Sequence, residues 1–148
     1  MLKLICRTEE SYCALVIRLA LGAVMLAHGL QKVFGWFGGQ GLSGTIQTFT
    51  HNLGFSLWVP ILLMVIEFFG SIALLLGFLT RVAAFGIGSS IAVCAYLYHV
   101  QNGFFMNWFG NQKGEGIEYH ILVLAICLSL LIQGGGSFSV DRRITEQR

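Results

Sequence analysis

The sequence predicts an all-α membrane protein, a bundle of four transmembrane helices with a short amphipathic interfacial helix in the first outer loop. Three observations carry that expectation. Hydrophobic residues make up 55% of the chain and charged residues only 11%, against about 25% charged in ordinary soluble domains. Mean hydropathy is +0.75, more apolar character than a soluble domain of 148 residues can hide in its small interior. The apolar residues also fall into four runs near the ~20 residues that cross ~30 Å of hydrocarbon. The whole chain, 1–148, reads as a single integral-membrane domain whose partner is the lipid bilayer. A net charge of +2 leaves no nucleic-acid footprint.

The first span is expected at 12–34. It carries Arg18, His28 and Lys32, and Glu9 and Glu10 stand ahead of it. It lacks the basic-then-apolar layout and cleavage site of a signal peptide, so it reads as a retained helix. In the outer loop, Leu42, Ile46, Phe49 and Leu53 recur at helical spacing. Ser43 is the expected start and Gly54 the expected end of this interfacial helix. Trp36, Phe37 and Trp58 are belt residues on that side. The second span is expected at 57–79 with Glu67 inside it, the third at 82–100, and the fourth at 118–136, opened by Glu118 and His120. The fourth is the shortest, and Gly134 to Ser137 would complete its crossing. Phe104, Phe105, Trp108 and Phe109 make the second outer loop aromatic as well.

Lys and Arg set the orientation. Lys3, Arg7, Arg81, Arg142, Arg143 and Arg148, with Arg18 close by, lie on one side; Lys113, with Lys32 at its border, lies on the other. Both termini are therefore expected in the cytoplasm, with Arg81 a cytoplasmic anchor. In the third span Ala84, Gly88 and Ala92 form one small-residue row, and Gly86 and Ser90 a second; Gly70 and Gly77 serve the second span. Such rows let helix backbones approach in lipid and offer faces for a homo-oligomer.

The four cysteines include no C-x-x-C pair and no zinc-finger spacing. Cys94 and Cys127 read as small buried hydrophobes, and Cys6 and Cys13 lie near the terminus on the reducing side. No disulfide and no metal is assigned. His51 and His99 read as interfacial residues without a metal-ligand companion at useful spacing. The pair Glu118 and His120 is weak as a ligand set.

Polar residues inside the spans carry the functional information. Arg18, Met25 and Lys32 are seven apart and His28 lies one turn before Lys32, so the first helix presents a cationic stripe. A charge at mid-bilayer costs ~2.5–3.5 kcal/mol even on the mildest scale, which turns the stripe toward the bundle interior. Glu67 lies about 15 Å into the membrane at the helical rise and is the natural counter-charge. A buried ion pair between Arg18 and Glu67 is the expectation, with His28 or Lys32 as rival partners. Such a pair either fixes which helices are neighbours or serves function. Glu118 and His120 either favour the start of their helix through its dipole or close an outward-facing polar pocket with His28 and Lys32. No dinucleotide fingerprint, P-loop, H-E-x-x-H or nucleophile elbow is present, so the chain has no catalytic motif of its own.

Several runs resemble the DoxX family of small four-helix membrane proteins. They are Arg18-Leu-Ala-Leu-Gly22, His28-Gly-Leu-Gln-Lys32, Glu67-Phe-Phe-Gly70 through Leu76-Gly-Phe-Leu-Thr-Arg81, Glu118-Tyr119, and the exit from Gly134 to Asp141. Together they span about residues 12–143. The resemblance implies an inner-membrane fold. It also implies company with redox systems, since some relatives are membrane subunits of a thiosulfate:quinone oxidoreductase and another belongs to an oxidative-stress complex. The leading expectation is a membrane subunit of a redox system. It would bind a quinone or a small sulfur oxyanion through His28, Lys32 and Glu67, with Glu118 and His120 as further candidates and a soluble oxidoreductase as partner. No cofactor is intrinsic; a quinone is the one implied. The alternatives are transport of a small solute or proton, with Glu67 as the protonatable gate, and a non-catalytic assembly or anchor subunit.

Overall fold

The computed structural model describes residues 6–146; Lys3 and Arg148, two of the charges used for orientation, lie outside the described residues. The chain is all-α. Helix α1 runs Tyr12–Phe34, α2 Gly41–Gln47, α3 Trp58–Leu76, α4 Thr80–Cys94, α5 Glu118–Gln133 and α6 Val140–Glu146. A single 3-10 turn, Trp36–Gly38, precedes α2. A wide π-helical turn, Thr48–Asn52, extends α2. Another, Ala95–His99, extends α4 and is followed by a 3-10 turn, Val100–Asn102.

Three helices, Tyr12–Phe34, Trp58–Leu76 and the continuous Thr80–Asn102, are long and apolar enough to cross a membrane; Glu118–Gln133 is apolar but shorter. α1 packs mainly on α3, α3 on α4, and α4 on α5, and a lighter α1–α5 contact closes the ring. The core between them holds Leu21, Met25, Leu74, Ile87, Val123 and Leu130. Outward-facing Leu62, Phe69, Phe85, Val93, Leu122 and Ile132 are exposed, an arrangement suited to a lipid solvent and costly in water.

Apolar helices form at the four expected places and in the expected order, with shifted ends, and the fourth is shorter than a full span. The second stops at Leu76 rather than 79 because Gly77 takes the left-handed conformation at φ +65° and accepts the helix end. The third begins at Thr80, and the fourth stops at Gln133, where Gly134 at φ +81° turns the chain. The interfacial helix starts at Gly41 and not at Ser43, which lies inside it, and Gly54 follows its end at φ +70°. The short helix α6 was not expected.

Local chemistry explains the ends. Ser11 caps α1, its hydroxyl accepting from the Ala14 N–H at 3.1 Å. Pro60 sits in the first turn of α3, where its missing N–H costs nothing. α4 has no local cap. The carboxylate of Asp141 serves instead, accepting from the Leu79 N–H at 2.7 Å and the Thr80 N–H at 2.8 Å. That places a negative group at the positive end of α4 and holds Leu79 at φ +48°.

The small-residue rows serve packing within the chain. A Cβ on Gly86 would stand 3.3 Å from Ile66, and one on Gly88 would stand 3.2 Å from Cys127. α4 therefore sits close to α3 on one side and to α5 on the other.

Candidate functional site

Glu67 pairs with Lys32 and not with Arg18. The Lys32 ammonium donates to Glu67 Oε2 at 2.6 Å, with the two side chains 25% and 7% exposed. Arg18 lies elsewhere, 1% exposed. Its Nε donates to the Gly135 carbonyl at 2.8 Å. Nη1 reaches Leu74 and Leu75 at 2.8 and 2.7 Å, and Nη2 reaches Ser137 and Phe138 at 3.4 and 3.0 Å. All five N–H donors of a guanidinium are used on carbonyls. Two of those carbonyls, Leu74 and Leu75, lie in the last turn of α3, where a cation is favoured; Leu74 also accepts from the Gly77 N–H at 3.1 Å. The physical reason for the correction is supply: the α3 end and the 134–138 loop offer Arg18 a full set of acceptors, and Lys32 reaches Glu67 first.

The cationic stripe thus divides into two sites with different tasks. Along it, Arg18, Gly22, Met25, Gly29 and Lys32 alternate spacings of four and three, one face of α1. Gly29 matters at the upper site. A Cβ there would lie 2.9 Å from Phe68 Cα and 3.2 Å from the Glu67 carbonyl carbon. The absence of a side chain lets α1 and α3 meet at the level of the ion pair. Thr45 of α2 donates to the Lys32 carbonyl at 3.1 Å, which folds the interfacial helix over the same point.

Four helices supply polar groups around Glu67. His28 is half-buried on α1, within electrostatic reach of both Lys32 and Glu67. Cys94 of α4 also lies within reach of both, and Tyr119 of α5 lies within reach of Glu67. The Tyr119 hydroxyl is buried and has no hydrogen-bond partner among the described residues. Cys94 and Tyr119 escaped the sequence reading. Cys94 looked like an apolar filler, and Tyr119 was overshadowed by the charged residue before it; neither lies in a run that signals a site.

His120 is 5% exposed, its ring tilted against His99 at a centroid distance of 4.2 Å. Its Nδ1 is buried and makes no hydrogen bond of good geometry among the described residues. His99, expected to be interfacial and without a ligand companion, instead gathers with Cys94 and His120: one ligand atom from each lies within 4.8 Å of the others. Two causes hid this from the sequence. Cys94 and His99 are five apart, which an ordinary α-helix puts on different faces, and His120 comes from another helix.

Glu118 is placed differently. Its Oε1 accepts from the Met106 N–H at 2.9 Å and from the Trp108 indole at 3.2 Å. It fastens the second outer loop to the start of α5. Arg81 donates to the Ile132 carbonyl at 2.9 Å, capping the end of α5. His51 lies at the end of the π turn after α2, exposed.

Two apolar grooves lie away from these polar groups. One of about 420 Å³ runs between α3 and α4, lined by Ile66, Phe69, Gly70, Leu76 and Val82 among others. A second of about 260 Å³ runs between α4 and α5. Both are apolar and open to the surroundings of the bundle, where acyl chains would fill them.

The comparisons with known proteins agree with the architecture. Residues 13–100 match the DoxX family. The chain is similar to the inner membrane protein YqjF of Escherichia coli (strain K12), 27% identical over 138 residues, covering 93% of this chain and 96% of that protein. No solved structure matches it. With the greater part of its length matched, from the first span through the third, the chain belongs to the DoxX family.

Proposed function

We propose that the protein is a four-pass subunit of an inner-membrane redox system, with both termini in the cytoplasm. Its Lys32–Glu67 cluster binds the headgroup of a quinone or a small sulfur oxyanion. The observation that carries this reading is the largely buried ion pair at 2.6 Å, with the Tyr119 hydroxyl, unpartnered among the described residues, within electrostatic reach of the same carboxylate. An ammonium and a phenol donate to a quinone carbonyl or to an oxyanion, and a carboxylate held beside them orients the ammonium or accepts a proton. Intramembrane ionisable groups are expensive to keep, and several of them converging from four helices favour a site over a single helix-pairing contact. Location in the inner membrane is supported by the relative's name, and the orientation by the arginines at the end that holds Arg81 and Arg142.

Transport is less well supported. Between Lys32 and Arg18 the stripe consists of Gly29, Met25 and Gly22, which pack closely and offer a solute no polar lining.

The test is to purify the protein into nanodiscs and measure by mass spectrometry which quinone co-purifies, then to titrate quinone and thiosulfate into it. We expect one of the two to bind the unaltered protein and to bind at least tenfold more weakly to Glu67→Gln and Lys32→Met. Unchanged binding in folded Glu67→Gln would sink the reading. An empty protein that captures a soluble oxidoreductase would replace it with the anchor reading.

A further inference from the structure

We propose that Cys94, His99 and His120 form a binding site for one borderline-soft transition-metal ion, Zn²⁺ or Cu⁺. This inference does not depend on the quinone or oxyanion reading, although Cys94 lies within electrostatic reach of the Lys32–Glu67 pair.

Geometry is the first support. The three ligand atoms lie within 4.8 Å of one another. Around a tetrahedral ion with Zn–S near 2.3 Å and Zn–N near 2.05 Å, ligand atoms stand roughly 3.3–3.6 Å apart. Shifts of about an ångström in three side chains close the difference, within reach of χ rotations.

The backbone is the second. At 100° per residue, Cys94 and His99 would be about 140° apart on an α-helix. The chain takes a π turn over Ala95–His99, with the Val100 N–H bonded to the Ala95 carbonyl. That wider turn brings residues five apart toward one side. π turns are rare and occur mostly at functional sites.

The third is the state of the imidazoles. His99 Nδ1 lies 2.9 Å from the Glu115 carbonyl. A carbonyl can only accept, so Nδ1 carries the proton and Nε2 keeps its lone pair. Metal-ligating histidines are commonly oriented by such a second bond. His120 is 95% buried by its 5% exposure, and its Nδ1 makes no hydrogen bond of good geometry among the described residues, although the Gly116 backbone lies near the ring. A buried nitrogen left unpaired is costly. Coordination would satisfy it.

The donor set then selects the ion. One thiolate and two imidazoles suit Zn²⁺ and copper and disfavour Mg²⁺ and Ca²⁺, which take oxygen ligands. Three protein ligands leave a fourth position open, as in zinc sites that bind water or substrate.

The experiment uses the full chain, purified through a histidine-free tag into nanodiscs and stripped with a chelator. It is titrated with Co²⁺ as the spectroscopic stand-in for Zn²⁺, and separately with Cu⁺ against a competing chelator. We expect one ion per chain. With Co²⁺ we expect a thiolate-to-metal charge-transfer band in the near ultraviolet. Cys94→Ser should abolish the band, His99→Gln and His120→Gln should weaken binding at least tenfold, and His51→Gln and Cys127→Ser should leave it unchanged. Uptake of Cu⁺ alone assigns the site to copper, and uptake of both ions keeps zinc. Should a ligand variant fail to fold, X-ray absorption on the loaded unaltered protein decides: one sulfur and two nitrogen neighbours support the site. Oxygen neighbours only, no stoichiometric uptake of either ion, or binding that survives both Cys94→Ser and His120→Gln would overturn it.

Discussion

The Lys32 ammonium sits 2.6 Å from Glu67 Oε2, joining the last turn of α1 to the middle of α3 where Gly29 lets the two backbones meet. Removing one member leaves the other charged, buried and unpaired, which costs about 3–5 kcal/mol in fully buried pairs. Lys32 is a quarter exposed, so the low end applies. Glu67→Leu and Lys32→Met should each lower thermal stability in detergent, and the double variant should recover most of the loss. A double-mutant cycle with coupling below about 0.5 kcal/mol would remove the pair from the account of stability.

Arg18 should respond to a change that keeps its charge. Lysine has three donors against five, so Arg18→Lys takes a donor from at least two of the carbonyls of Leu74, Leu75, Gly135, Ser137 and Phe138, of which Leu74 keeps the Gly77 N–H. Each stranded group costs about 1–3 kcal/mol, and a loss above about 2 kcal/mol is expected in unfolding assays. The effects of Arg18→Lys and Glu67→Leu should add, within about 0.5 kcal/mol, because the two residues share no partner. Strong coupling between them would restore the ion pair expected from sequence.

Two glycines, Gly29 at the α1–α3 contact and Gly70 at the α3–α4 contact, predict different outcomes. In Gly29→Ala the new methyl meets Phe68 backbone at 2.9 Å, and backbone does not yield. α1 and α3 must separate, at about 1–3 kcal/mol. In Gly70→Ala the nearest atoms are the end of the Ile87 side chain at 3.5 Å, an ordinary contact. Melting temperatures should fall for the first and stay near the unaltered value for the second.

Asp141 and Cys6 make a pH-dependent contact outside the spans. Burial, then the hydrogen bond and charge of Asp141, push the Cys6 thiol from its ordinary 9.0 up to about 11. A raised acid pKa means that the folded chain holds its proton longer than the unfolded chain. The resulting stability is complete below pH 9.0 and is lost as pH rises toward 11. Cys6→Ala should flatten the stability profile across that window. Maleimide at pH 8 should label Cys6 only after denaturation, since the native thiol is 1% exposed and protonated. Fast native labelling would contradict the arrangement.

Asp141→Ala should destabilise the α3–α4 turn. The Leu79 and Thr80 N–H groups would lose their acceptor, and Leu79 would keep its left-handed strain. A loss of about 1–3 kcal/mol is expected, together with faster amide exchange at residues 79 and 80.

Sequence alone determined the membrane class, the number and order of the apolar helices and the residues too costly to face lipid. Apolar runs and stray charges state these locally, whatever the chain does next. It also located Gly54 as punctuation and Arg18, His28, Lys32 and Glu67 as residues turned inward. Tertiary structure decided the partners. A guanidinium will pair with a carboxylate or cap a helix end, and only the placement of Gly135, Ser137 and Phe138 against the end of α3 gave Arg18 to carbonyls and left Glu67 to Lys32. The same holds for Cys94, His99 and His120. Their meeting depends on one π turn and on the packing of α4 against α5, neither of which the spacing of residues along the chain records.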